Sequence, residues 1–253
     1  MLYYVGLDLG QSQDYTALAL LEAQLYVGSD NADAASLWAH RGVYFPADFK
    51  PSESGWVSPS ALTPLTAERI LSANARYGGG AFAPDAHIYV RHLERFELGT
   101  RYTKIVSSVK SLLASEPLRS CMRYTRLLVD KTGVGAGVID SFYEHGVRPL
   151  SITIHGGSRV LPETRGFRVP KRDLVTSVQV PLQNGSLKIA PSLKLADTLK
   201  RELLNFRVKV DAKTAHDSYE HWRENDHDDL VLATAMACWY QDYQRKQAIR
   251  EIA

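Results

Sequence analysis

Asp8, Asp130 and Asp229 constrain this chain more than any other residues. Asp8 closes the apolar run Leu2-Tyr3-Tyr4-Val5-Gly6-Leu7, and Asp130 closes a second run, Leu127-Leu128-Val129. Asp229 follows His227-Asp228 and leads straight into Leu230-Val231-Leu232-Ala233, the start of a long helical pattern. Apolar runs of strand length are buried, so a carboxylate at their tip is costly to desolvate unless a positive charge compensates it. Two such tips and one helix start, brought together, supply what a divalent-cation site for phosphodiester chemistry needs. The chain must then fold so that three distant segments meet.

The hydropathy pattern predicts how. Residues 3–9 read as a strand buried on both faces, turned by Gly10-Gln11-Ser12-Gln13-Asp14. Residues 17–27 and 37–45 read as two more strands separated by a polar stretch, predicting an antiparallel edge to a larger sheet. Residues 46–84 are irregular and hold several prolines and Gly78-Gly79-Gly80, with one short helix around 65–75. We expect a single domain over 1–253 with an irregular insertion at about 46–86.

From there strands and helices alternate. Strands are predicted at 87–98, 126–130, 150–154 and 187–190. Ile105, Val106, Val109, Leu112 and Leu113 give helical spacing over 104–114. The run Gly133-Val134-Gly135-Ala136-Gly137 opens a helix through Tyr143, closed by Gly146. A helix over 171–183 is expected, then one after Pro191-Ser192 with Leu195, Leu199, Leu203 and Leu204 on one face. Residues 208–210 read as extended, and 229–244 as the last helix, whose Ala233, Ala235 and Ala237 allow close packing on the sheet. A strand–helix–strand series of this kind implies parallel pairing with right-handed crossovers.

Each acid has a competing structural role. Asp8 is the expected bridging ligand on a central strand, or else caps the turn at Leu9-Gly10. Asp130 is a ligand, or else caps the helix that comes after it. Capping and the helix dipole account for one aspartate of Asp226-His227-Asp228-Asp229, not for three with a histidine. Asp229 enters a buried turn and faces the sheet as ligand. Asp228 projects about 100° away and is the second choice, and His227 is placed to orient water. Thr132 and the amides near Gly133 are placed to position a phosphate, or the glycines simply permit a tight turn. The loop 155–172 carries Arg159, Arg165, Arg168, Lys171 and Arg172, which suit phosphate contacts or form a solvated face.

Other chemistries lack their residues. His216, His221 and His227 match no zinc spacing, and neither a GxxxxGK[ST] loop nor a GxSxG elbow occurs. A net charge of +2 limits any nucleic-acid surface to a local patch. Two cysteines form no disulfide framework, which fits a reducing cytoplasm. No apolar run reaches the roughly 18–20 residues that span a bilayer, so no membrane association is expected.

Val5-Gly6-Leu7-Asp8-Leu9-Gly10, with the polar turn and the Thr16-Ala17-Leu18 restart, resembles the opening of the nuclease domain of phage terminase large subunits. Leu93-Glu94-Arg95-Phe96-Glu97-Leu98-Gly99-Thr100 is similar to a strand-and-turn segment of these proteins. Leu128-Val129-Asp130 resembles their second acidic strand, and His227-Asp228-Asp229-Leu230-Val231 their His-Asp-Asp helix, the most specific match. The resemblance implies an α/β fold with a ribonuclease-H-like mixed sheet, antiparallel N-terminal strands followed by parallel ones, flanked by helices on both faces. It implies two-metal cleavage of double-stranded DNA during genome packaging, with two Mg2+ or Mn2+ ions on Asp8, Asp130 and Asp229. Implied partners are a separate packaging ATPase, a small terminase or a portal, in the host cytoplasm.

Two departures stand out. Many relatives carry a further acid one turn after the third aspartate, where this chain has Leu232, so a fourth ligand is absent or supplied by Asp228. The N-terminal ATPase motor of such subunits has no counterpart, so we expect a stand-alone nuclease-domain protein, an excised domain or a prophage remnant. The alternatives are a junction-resolvase-like nuclease, an actin- or sugar-kinase-like ATPase, or an inactive DNA-binding module.

Overall fold

The structure, a computed structural model, describes residues 2–10, 14–26, 85–133, 136–205 and 228–250. His227, the strand at 37–45, the helix around 65–75 and the extended 208–210 lie outside the described residues, as does most of the insertion. Its last two positions, 85 and 86, open a strand.

The described residues build one mixed sheet. In chain order its strands are β1 (Leu2–Asp8), β2 (Ala17–Tyr26), β3 (Asp85–Arg95), β4 (Thr125–Asp130), β5 (Leu150–His155), β6 (Leu161–Glu163), β7 (Gly166–Pro170) and β8 (Leu187–Ile189). They lie side by side in the order β6-β7-β5-β4-β1-β2-β3-β8. β1, β2 and β3 pair antiparallel, while β1–β4, β4–β5 and β5–β7 pair parallel. The helices are α1 (Tyr102–Ala114), α2 (Ala136–Glu144), α3 (Lys171–Gln183), α4 (Ala196–Asn205) and α5 (Asp229–Arg250). This is the α/β mixed sheet with helices on both faces that the sequence predicts.

Side chains alternate across the sheet, so each face has its own core. Tyr4, Leu128, Ile152 and Val169 pack under α3, α4 and α5. Tyr3, Val5, Leu7, Leu127 and Val129 pack under α1 and α2. Large side chains with almost no exposure, such as Phe142 and Leu174, each contribute about 1.5–3 kcal/mol of burial.

α5 is apolar almost all round its first turns. Leu230, Val231, Ala233, Ala235, Met236 and Ala237 are fully buried. A helix of that composition belongs inside a core. It runs antiparallel to β1: the Tyr4 hydroxyl donates to Gln244 Oε1 at 2.9 Å near one end. Near the other end a Cβ at Gly6 would lie 1.8 Å from the Ala233 carbonyl oxygen, so helix and strand backbones touch there.

Three expectations need correction. The predicted loop 155–172 contains the β6–β7 hairpin, and β7 extends the sheet with Phe167 opposite Ile152 and Val169 opposite Ile154. Phe167 joins Trp239, Tyr240 and Tyr243 of α5 in an aromatic cluster, which favours the extended state despite the surrounding glycines and arginines. Leu204 is 56% exposed while Leu199 is buried, because 204 falls about 140° round the helix from 199. The antiparallel strands are not an edge: β1 is interior, β3 pairs with β2, and β8 closes that side in parallel with β3. Elsewhere the predicted α3 over 171–183 is observed. α2 ends at Gly146 in the left-handed conformation (φ 76°), with the Val147 amide bonded to the Phe142 carbonyl at 2.9 Å.

Gly6→Ala therefore tests the seat of α5. We expect destabilisation at the upper end of the overpacking range, about 3 kcal/mol, in urea denaturation followed by circular dichroism. A loss below about 0.5 kcal/mol, typical of a neutral surface change, would contradict the close approach of the two backbones.

Candidate metal centre

Strand pairing places the first two acids. Leu7 pairs with Val129 in the parallel β1–β4 ladder, so the next residues, Asp8 and Asp130, stand side by side at the same sheet edge. Both follow an even spacing from residues of the α5 face (Tyr4 to Asp8, Leu128 to Asp130), so both side chains project toward α5. Asp229 opens α5 one turn before Ala233, the residue seated on Gly6 two positions before Asp8. The antiparallel course of helix and strand thus carries Asp229 over the two strand tips.

All three carboxylates are buried, with 7%, 5% and 5% exposure for Asp8, Asp130 and Asp229. Burial comes first among the causes that push the Asp8 carboxyl well above the ordinary carboxylate range. The charges of Asp130, Asp229 and Asp228 push it further, as does a hydrogen bond between the Asp8 and Asp130 side chains. Two carboxyls that share a hydrogen bond hold a proton between them at pH values where each alone would be ionised. Three buried acids at one edge thus concentrate negative charge where water screens it weakly.

The three acids are near one another without yet converging on one coordination point. Among the described residues no group of three or more His, Cys, Asp or Glu side chains is placed so that it could hold a metal ion. Asp8 and Asp130 meet, while Asp229 Oδ2 lies 3.5 Å from Arg95 Nη2.

Thr132 acts on Asp130 and not on an open phosphate pocket. Its amide donates to Asp130 Oδ1 at 2.7 Å, and its hydroxyl accepts the Ile154 amide at 2.8 Å. Thr132 therefore fixes the Asp130 carboxylate and ties the turn to β5, with Gly133 in the left-handed conformation (φ 80°) completing it. Asp228 is half-buried, and its carbonyl accepts the Leu232 amide at 2.9 Å. It stands at the cap position before α5, and its charge is among those that raise the proton affinity of Asp8. The turn at Gly10 has its own acceptor in the Thr16 hydroxyl at 3.1 Å.

The five basic residues do not form one patch. β5 and β7 run parallel to β4, so residues just beyond their C-terminal ends share the edge of Asp130. Arg159 lies after β5, and Lys171 and Arg172 come after β7, with Arg172 Nη2 donating to the Ser158 carbonyl at 2.7 Å. Arg168 is exposed in mid-strand, opposite Leu161. Arg165 precedes β7 at its other end, stacked 4.3 Å over the Tyr143 ring and 3.5 Å from Asp140.

Sequence reasoning missed two residues here. Arg95 ends β3 in register with Ala17, which pairs with Asp8, so Arg95 shares the row and the face of the acids. Glu202 of α4 is 6% exposed and contacts Arg95 directly. Its Oε2 accepts the Leu230 and Val231 amides at 3.0 and 3.2 Å, capping α5 from another helix. Burial pushes the Glu202 carboxyl up to about 7, against the Arg95 guanidinium and the two amides, which favour its charge. The signal for Arg95 was its place within the segment Leu93–Thr100. Glu202 had none beyond an acid on an amphipathic helix.

A raised Asp8 pKa makes a signed prediction. Below the ordinary carboxylate range Asp8 is protonated in folded and unfolded chains alike, and its burial carries no ionisation penalty. As pH rises the unfolded chain ionises first, and the folded state loses stability relative to it. Asp8→Asn should therefore raise the Tm of EDTA-treated protein near neutral pH by about 2–4 °C per kcal/mol relieved. That gain should vanish near pH 3, where wild type and variant carry the same charge at this position. A variant that melts below wild type at neutral pH would contradict the carboxylate repulsion.

No protein-family model matches the chain, and no curated protein sequence matches it. Among solved structures it is similar to the large terminase nuclease from thermophilic phage G20c, at 15% identity and a TM-score of 0.45, over 93% of this chain and 80% of that one. It is also similar to the Mn-soaked human cytomegalovirus terminase nuclease domain, at 14% identity and a TM-score of 0.39, over 97% and 85% of the two chains.

Proposed function

We propose that this protein is a metal-dependent endodeoxyribonuclease that hydrolyses DNA phosphodiesters at Asp8, Asp130 and Asp229. The observation that carries the reading is the burial of these three acids at one sheet edge, where Asp130 and Asp229 both raise the proton affinity of Asp8. Buried carboxylates held this close are characteristic of sites where a bound ligand relieves the repulsion. The donor set is all oxygen, hard and anionic, which fits Mg2+ or Mn2+ and not a soft metal. Two such cations, when bound, supply Lewis acidity at the phosphoryl oxygen and a more acidic water.

The chain's own residues do the rest. Asp8 and Asp130, on neighbouring rigid strands, would hold the cations, and Asp229 would complete the set from the helix, with Asp228 at the rim. The Thr132 amide keeps the Asp130 carboxylate in one orientation. Arg159, Lys171 and Arg172, on the same edge, are the residues we assign to DNA phosphates, with Arg168 beside them. Arg165 is held on α2 and is the least suited of the five. The substrate we assign is double-stranded DNA, and the sequence resemblance supports a role in phage genome packaging, with a separate packaging ATPase, a small terminase or a portal as partner. Among the described residues no helix is long and apolar enough to cross a membrane.

Supercoiled plasmid should be nicked and linearised with Mn2+ or Mg2+ and spared in EDTA. Asp8→Asn, Asp130→Asn and Asp229→Asn should each slow cleavage more than about 100-fold, beyond the 10–100-fold typical of residues that merely support ligands. Retention of wild-type cleavage by all three would remove the assignment. In a salt titration of DNA binding, Lys171→Ala and Arg172→Ala should each flatten the log–log slope by about one. Arg165→Ala should leave that slope unchanged.

A further inference from the structure

Arg95 stands between two buried carboxylates. Its Nη2 contacts Glu202 Oε1 directly and lies 3.5 Å from Asp229 Oδ2. Its guanidinium carbon sits 4.8 Å from the centre of the Tyr15 ring, a cation–π contact that steadies the group between the two acids. The side chain is 18% exposed and Glu202 only 6%, so water screens the arrangement weakly. Glu202 is itself fixed: its second oxygen accepts the amides of Leu230 and Val231, the residues directly after Asp229. One carboxylate therefore sets both where α5 begins and where the guanidinium rests.

Both residues act on Asp229, Arg95 through its charge and Glu202 through the amides that follow the acid. A guanidinium shared by two carboxylates divides its attraction between them. Neutralising one leaves it to close on the other. Asp229 engaged by Arg95 cannot at the same time give its full charge to a cation at Asp8 and Asp130.

We propose that Arg95 and Glu202 form a positioning pair for the Asp229 ligand: Arg95 is a built-in counter-cation that competes with the metal for Asp229, and Glu202 limits that competition by holding the guanidinium on its own oxygen. This rests on the reading of Asp229 as a metal ligand. The pair keeps the helix start from being repelled by the other acids before a cation arrives, and it sets the cation concentration at which the centre fills. Ala17 lies between Asp8 and Arg95 in the register, so the acid and the guanidinium share one row of the sheet.

The test is Mn2+ binding to the full chain, followed by the electron paramagnetic resonance of unbound Mn2+, with Mn2+-dependent plasmid nicking measured in parallel. Glu202→Gln keeps an amide-accepting oxygen but loses the charge that restrains Arg95. Its half-saturating Mn2+ concentration should rise about tenfold. Arg95→Gln should bind Mn2+ at least as tightly as wild type. The double variant Arg95→Gln/Glu202→Gln should recover to within about threefold of wild type.

A residue that only caps α5 would lower the melting temperature without this reciprocal pattern. Mn2+ binding by Glu202→Gln equal to wild type, or a double variant as weak as Glu202→Gln alone, overturns the pair while the metal centre stands. If Glu202→Gln does not fold, Arg95→Gln decides, and weaker Mn2+ binding by it overturns the inference. Absence of Mn2+ binding by the wild-type protein removes the metal centre itself and the pair with it.

Discussion

At Gly6 the backbone of β1 and the backbone of α5 come into direct contact, because no Cβ separates the strand from the Ala233 carbonyl. That contact determines how high the helix rides over the sheet and how far along it lies. Moved outward by the width of a side chain, Asp229 would stand clear of Asp8 and Asp130, and the aromatic cluster of Phe167 with Trp239, Tyr240 and Tyr243 would open. Ala237 lies on the same side of the helix as Ala233, while Ala235 faces α3, where its carbonyl accepts the Ser177 hydroxyl at 3.1 Å. A geometric tolerance of one methyl group thus underlies both the core and the acidic cluster.

Burial at this edge has two consequences that oppose one another. Apolar packing of α5 against β1 and β2 draws the helix start inward. The carboxylates of Asp8, Asp130 and Asp229 resist that approach, and Asp8 responds by holding its proton. The guanidinium of Arg95, braced by Glu202, offsets part of the resistance. The negative charge that Arg95 leaves uncompensated is the physical basis of the divalent-cation proposal.

Much of this was legible from local pattern. The runs ending at Asp8 and Asp130 are continuous and apolar, and strands buried on both faces look like that whatever surrounds them. Asp229 precedes a helix start with no polar side, so its burial followed from the helix itself. The hairpin at β6–β7 was hidden because Arg159, Arg165, Arg168, Lys171, Arg172 and the glycines around them read as a solvated loop. Only the alternation of Phe167 and Val169 pointed to a strand. Leu195 precedes the helix and has φ 69°, so Leu195, Leu199, Leu203 and Leu204 do not form one helical stripe.

Amino-acid order alone determined which segments are buried, where each acid sits on its element, and the kind of chemistry three such acids can perform, because these depend on neighbours within a few residues. Tertiary structure decided what lies beside those acids. Arg95 and Glu202 meet Asp229 only through the β1–β2–β3 register and the docking of α4 against α5, which join segments far apart in the chain. The split of the basic residues between two ends of β7 is equally a matter of strand direction. Long-range pairing carries no periodicity that a chain can display by itself, and the electrostatic partner of a buried charge is chosen by that pairing.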